Sequence, residues 1–132
     1  LFDQSQVRFG SPHIVVSNAG IIRDRTIAKM SQQEWQDVID TNLTGPFLMC
    51  RAFVPHMKGL GYGRIINLTS IMSHVALAGR SVYATSKSGL LGFTKALALE
   101  LAPEKITVMG ASKGAAIAVF VSSLLLSGRR ER

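Results

Sequence analysis

Cysteine is nearly absent from this chain of 132 residues. The single thiol, Cys50, excludes an intrachain disulfide and fits a reducing compartment. Its plain reading is a small buried apolar side chain. Acidic residues are scarce as well, 8 Asp and Glu against 15 Lys and Arg, for a net charge of +7. Such an excess attracts anions, whether nucleic acid, a membrane surface or a phosphate-bearing small molecule. The basic residues are scattered from Arg23 and Arg25 to Arg64 and Lys95, and they cluster only at Arg129, Arg130 and Arg132. Aromatic residues, 7% of the chain, do not interleave with that cluster. No nucleic-acid partner is expected. A solvated surface, or a phosphate-bearing cofactor or carrier, accounts for the charge. No stretch has the pattern of a secretory signal. The uncharged run from Gly114 to Gly128 is fifteen residues long, short of the ~20 that span a bilayer. It reads as a buried helix, and no membrane partner is expected. No metal site is expected either. The expected location is cytoplasmic.

What is present is apolar and periodic. Apolar residues make up 47% and charged residues 17%, which argues for a packed core rather than disorder. No internal repeat or low-complexity linker divides the chain, so residues 1–132 read as a single unit. His13 to Ser17 is a short β-branched run that ends in the turn Asn18-Ala19-Gly20. Ser31 opens a capping box with Glu34, followed by Trp35, Val38 and Ile39 at helical spacing. The pattern breaks at Asn42 and resumes at Pro46, a residue suited to a first helical turn. Gly59 to Gly63 reads as a turn, and Ile65, Ile66 and Leu68 as a second strand ending at Thr69 and Ser70. A long helix follows from near Val82 to Ala102, stopped by Pro103. Ile106 to Met109 is a third strand, and Ile117, Phe120, Val121, Leu124 and Leu125 recur at helical spacing behind it.

Continuous apolar strands alternating with helices predict an α/β fold: a Rossmann-like, doubly wound parallel sheet, here partial, covered on both faces. In such sheets ligands sit at the carboxyl ends of the strands. That rule singles out Asn18, Ser70 and the segment after Met109.

Tyr83 and Lys87 stand four residues apart, on one face of the long helix. A free tyrosine, with a pKa near ~10, is a poor acid or base at neutral pH. An ammonium close by stabilises the phenolate and draws that value down. The spacing alone also describes an ordinary helical surface pair. Ser70 adds weight, because a strand end and this helix can meet at the rim of the sheet. A hydroxyl there can hydrogen-bond a carbonyl oxygen where negative charge develops.

The segment Gly63 to Ser70, with Tyr83 and Lys87 downstream, resembles the catalytic segment of the short-chain dehydrogenase/reductase family. Asn18-Ala19-Gly20 is similar to that family's N-A-G motif, and Asp40-Thr41-Asn42-Leu43 to its motif around a catalytic asparagine at a helix kink. The resemblance covers roughly residues 1–108. It implies an oxidoreductase that interconverts a carbonyl and a secondary alcohol with NADP or NAD. Tyr83 would be the proton donor or acceptor and Ser70 would polarise the substrate oxygen. Lys87 would lower the Tyr83 pKa and hold the nicotinamide ribose, and Asn42 would hold a water in a relay to Lys87. Asn18, Ala19 and Gly20, with Tyr83 and Lys87, would bind the cofactor. The resemblance also implies a homodimer or homotetramer formed by the helices around Arg51 and Phe93. The stretch Asn18 to Asp24 resembles that of 3-oxoacyl-[acyl-carrier-protein] reductases, and related sugar-acid and alcohol dehydrogenases share much of it; Arg23 is equally well read as a solvated charge.

The resemblance has limits. Family members are roughly twice as long and open with a glycine turn that cradles the pyrophosphate at a helix N-terminus. This chain is expected to begin near their fourth helix, without that turn. Residues 109–132 diverge from the pattern. Lys105 to Ala118 resembles the family's opening strand and glycine turn shortened by two residues, or matches it by coincidence. The rival to an active enzyme is therefore an inactive, truncated module that serves in oligomerisation or binding.

Overall fold

The computed structural model describes residues 2–112 and 115–120. A short helix, α1 (Phe2–Phe9), precedes strand β1 (Ile14–Ser17). Helix α2 (Gln32–Ile39) begins at the expected capping box, in which Ser31 Oγ accepts from Glu34 N and the Glu34 carboxylate accepts from Ser31 N. The break at Asn42 is a single wide helical turn, Asp40–Thr44, that leads into α3 (Gly45–Leu60). Gly59 and Leu60 therefore belong to α3, and the turn is made by Gly61 alone, at φ 63°. Strand β2 (Gly63–Leu68) follows, then α4 (Ser81–Leu101). Pro103 sits in a tight terminal turn, and Lys105, at φ 57°, swings the chain into β3 (Ile106–Ser112).

Strands β1, β2 and β3 are parallel and adjacent in that order. Their register places Val15, Ile65 and Val108 side by side. This row meets Cys50, Phe53 and Met57 of α3 and Leu97, Ala98 and Leu101 of α4 in one buried cluster. Burial of nearly all that apolar area is the main source of stability on this side of the sheet. Among the described residues the opposite face is not covered in the same way: Ile14 and Val16 of β1 are 57% and 50% exposed. The expectation of cover on both faces thus holds here for one of them.

Two expectations near the C-terminus are corrected. Residues 115–120 form a strand, β4 (Ala115–Phe120), antiparallel to β3, where helical spacing predicted a helix. Gly110 and Ala111 lie within β3, paired with Asn67 and Leu68, rather than opening a phosphate-binding turn. The reason is common to both. The outer edge of β3 offers unpaired backbone groups, and a short apolar segment with β-branched residues satisfies them as a strand. Lys113, Gly114, Val121, Leu124 and Leu125 lie outside the described residues, as does the remainder of the run to Gly128. No described helix is long and apolar enough to cross a membrane.

Candidate active site

The carboxyl ends of β1 and β2 face the first half of α4. A cleft of about 190 Å³ opens there, lined by Asn18, Gly20, Ile22, Leu68, Thr69, Tyr83 and Lys87. Helix α4 supplies Tyr83 and Lys87 because its inward stripe, Val82, Ser86, Leu90, Leu97 and Leu101, is locked into the core. The same helix carries the packing and the chemistry.

Lys87 is 4% exposed. Its Nζ donates to the Leu68 carbonyl oxygen at 2.6 Å and lies 5.8 Å from the Tyr83 ring centre. Burial pushes its pKa below the ordinary value of 10.5, since desolvation disfavours the ammonium. A cation held at the end of β2 by a backbone oxygen keeps two of its three donors for other groups. Tyr83 is half-buried on the same side of the helix.

Asn42 is fully buried behind this pair, carried there by the wide turn between α2 and α3. Its Oδ1 accepts from Ile21 N at 2.8 Å, while Nδ2 donates to Ile21 O at 2.9 Å and to Ser86 Oγ at 3.1 Å. Ser86 Oγ in turn donates to Tyr83 O at 2.8 Å. The side chain thus pins the loop after β1 to the tyrosine helix. Gly20 lies against it: a Cβ there would stand 3.4 Å from Asn42 Oδ1 and 3.6 Å from Lys87 Nζ.

Three of the residues singled out from the sequence, Ala19, Ser70 and the buried Asn42, do not line the cleft. Ala19 is exposed and lines a separate groove of about 510 Å³ between β1 and α3. Ser70 is half-buried next to Thr69, and its Oγ accepts from Met72 N at 3.2 Å, capping the turn Ile71–Ser73. Sequence reasoning missed Ser86, although it lies inside the Tyr83 to Lys87 motif, one turn from Tyr83 on the buried side. It also missed Leu68, whose carbonyl no side-chain pattern could reveal. Among the described residues, no cluster of three or more His, Cys, Asp or Glu gathers as a metal site.

Comparison with known proteins gives the family and the fold. The family profile described as short chain dehydrogenase matches residues 1–123. A 3-oxoacyl-[acyl-carrier-protein] reductase FabG of Staphylococcus epidermidis is 41% identical over 117 residues, 89% of this chain and 48% of the relative. The FabG of Pseudomonas aeruginosa is 42% identical over 109 residues, 83% of this chain and 44% of the relative. The chain thus spans about half the length of the curated relatives it matches. Among solved structures, a gluconate 5-dehydrogenase from Burkholderia cenocepacia in complex with NADP and tartrate superposes with a TM-score of 0.81 at 31% identity, covering 84% of this chain and 44% of that one. A 4-hydroxyisoleucine dehydrogenase complexed with NADH gives 0.80 at 31% identity, covering 84% and 49%.

Proposed function

This chain belongs to the short-chain dehydrogenase family, a family of oxidoreductases, and we propose that its cleft carries out the carbonyl–alcohol half of that family's chemistry with NADP or NAD. The observation that carries the reading is the placement of Tyr83 and buried Lys87 in one cleft with Gly20. The residues fit a nicotinamide ribose. Glycine at position 20 leaves open beside Lys87 Nζ the space a Cβ would fill, and Nζ retains donors beyond its bond to Leu68 O. The cofactor, when bound, supplies or accepts the hydride.

The remaining chemistry falls to this chain. Tyr83 passes a proton between its phenolic oxygen and the substrate oxygen. Lys87 holds the ribose, with its ammonium 5.8 Å from the Tyr83 ring centre. Ser70 stands outside the cleft's lining, next to Thr69, with its Oγ accepting from Met72 N; in this reading its own O–H donates to the substrate oxygen at the cleft's edge as charge develops there. Asn42 fixes the loop and helix relative to each other through Ile21 and Ser86, and in this reading also orders a water on the way to Lys87. Asn18 and Ala19 border the cofactor's path. The substrate class that the relatives favour is a 3-oxoacyl thioester.

We further propose that residues 1–132 act as one catalytic-half unit with a divergent tail at 109–132, located in the cytoplasm and working as a homodimer or homotetramer. On the helices around Arg51 and Phe93, Phe53, Leu90, Leu91 and Leu97 are in the core, while Phe47, at 42% exposure, and half-buried Phe93 are stacked edge-on at 6.5 Å. The open face of β1 favours a second reading, in which the chain is an inactive module whose role is association. Titration of NADPH and NADH into the purified chain separates the two. The active reading expects measurable binding that Gly20→Val abolishes, weaker by orders of magnitude than in a full-length relative. Binding unaffected by Gly20→Val would remove the cleft from consideration.

A further inference from the structure

The loops that follow β1 and β2 meet at a contact outside the cleft. Asp24 lies on the first loop, and Arg80 ends the second. Nε of Arg80 donates to Oδ2 of Asp24 at 3.2 Å, and Nη2 lies 3.1 Å from the same oxygen in an ion pair. Beside this ion pair, Arg25 N donates to Gly79 O at 2.8 Å. Gly79 has φ +80°, a conformation that a side chain would strain, and its backbone is thereby turned toward Arg25.

The contact holds different things on its two sides. Arg80 immediately precedes α4, and its carbonyl accepts from Ala84 N at 2.9 Å, closing the turn that carries Tyr83. That helix is already anchored by buried Val82, Ser86 and Leu90. The first loop has much less holding it. Residues 22–29 are all exposed, Ile22 at 45%. Apart from the Arg80 and Gly79 contacts, its ties are Ile21 to Asn42 and an ion pair from Arg25 to Glu34 at 3.2 Å. Ile22 itself lines the cleft with Tyr83.

We propose that Asp24 and Arg80 are positioning residues, an ionic clasp that sets the Ile22 loop over the cleft opposite Tyr83. The functional part of this inference rests on the cleft being a carbonyl–alcohol site. An exposed ion pair adds little to global stability. Its effect is local: it decides how often the loop lifts, and salt weakens it. Opening the clasp loosens retention of substrate and cofactor but leaves Tyr83 and Lys87 where α4 holds them.

Amide hydrogen exchange on the whole chain tests the clasp without requiring turnover. Arg80→Gln and Asp24→Asn are each expected to speed exchange of the Arg25 N–H by a factor of about three to five, the size of an exposed ion pair. Added salt should do the same to the wild type and little to either variant. The swapped pair, Asp24→Arg with Arg80→Asp, should return exchange toward the wild-type rate. With a carbonyl substrate, Arg80→Gln should raise KM several-fold and leave kcat within about twofold. Unchanged Arg25 exchange in both single variants, or no recovery in the swapped pair, overturns the clasp. Faster exchange with KM unmoved overturns its role in positioning. If the wild type shows no turnover yet exchange and recovery behave as expected, the enzymatic reading falls and the clasp stands. Turnover with neither exchange nor KM altered leaves the enzymatic reading standing and removes the clasp.

Discussion

Ile65 and Ile14 sit on neighbouring strands of one sheet, yet Ile65 is fully buried and Ile14 is 57% exposed. Ile65 points under α3 and α4, and Ile14 onto the opposite face. The difference lies in how the two faces are served. On the closed face, α4 supplies Leu97 and Leu101 to the core and, about three to five turns earlier, Tyr83 and Lys87 to the cleft. Candidate site and core share one helix, so Tyr83 and Lys87 are held by packing rather than by loops. On the open face, β1 presents Ile14 and Val16 with little cover. The chain spans about half the length of its curated relatives, and within that half the closed face is the one that bears the candidate site.

The largest test of this contrast uses the same substitution on both faces. Ile65→Ala should cost about 2–5 kcal/mol, the range for deleting a fully buried branched side chain. Ile14→Ala should change stability by no more than about 0.5 kcal/mol, as for an exposed site. Denaturant unfolding of the two variants measures both. Equal losses would mean that the face bearing Ile14 is covered in solution.

Gly63→Ala probes how tightly the closed face is packed. An added Cβ would stand 2.9 Å from Met57 Sδ and 3.2 Å from Ile106 Cγ1. Both neighbours belong to the buried cluster, so overpacking should cost about 1–3 kcal/mol. A neutral result in the same unfolding assay would show that Met57 can move aside and that this end of the core is loose.

A smaller effect follows from the buried ammonium. The folded-state pKa of Lys87 lies below its ordinary value of 10.5 because of burial. Between those two values the unfolded chain binds more protons than the folded one, so stability should rise with pH in that alkaline window. Lys87→Met should lack this increment. Parallel stability–pH profiles for wild type and variant would place Lys87 in solvent, contrary to its 4% exposure.

Much of the closed face was legible because its signals are local. The capping box at Ser31 and Glu34, the break at Asn42, and the stop at Pro103 each act within a few residues, and each appears where the sequence placed it. The parallel order of the three strands followed from their continuous apolar runs. The strand at Ala115–Phe120 did not follow, because the spacing of Ile117 and Phe120 suits a helix, and only the vacant edge of β3 decides otherwise. Of the residues singled out from the sequence, Asn18, Gly20, Tyr83 and Lys87 line one cleft, while Ala19 lines the neighbouring groove and Ser70 caps a turn. The Asp24–Arg80 pair joins residues 56 apart, and the Leu68 carbonyl that receives Lys87 belongs to the backbone. Neither leaves a mark in spacing, since both exist only once β1 and β2 lie side by side.

In the proposed reaction Tyr83 would move the proton, and a bound nicotinamide cofactor would supply the hydride chemistry. The most direct measurement follows NADPH or NADH absorbance with a 3-oxoacyl thioester, using wild type and Tyr83→Phe, with unfolding curves to show that both are folded. The account predicts cofactor-dependent reduction by the wild type and its loss in Tyr83→Phe at unchanged stability. Reduction at the wild-type rate in a folded Tyr83→Phe variant would contradict it.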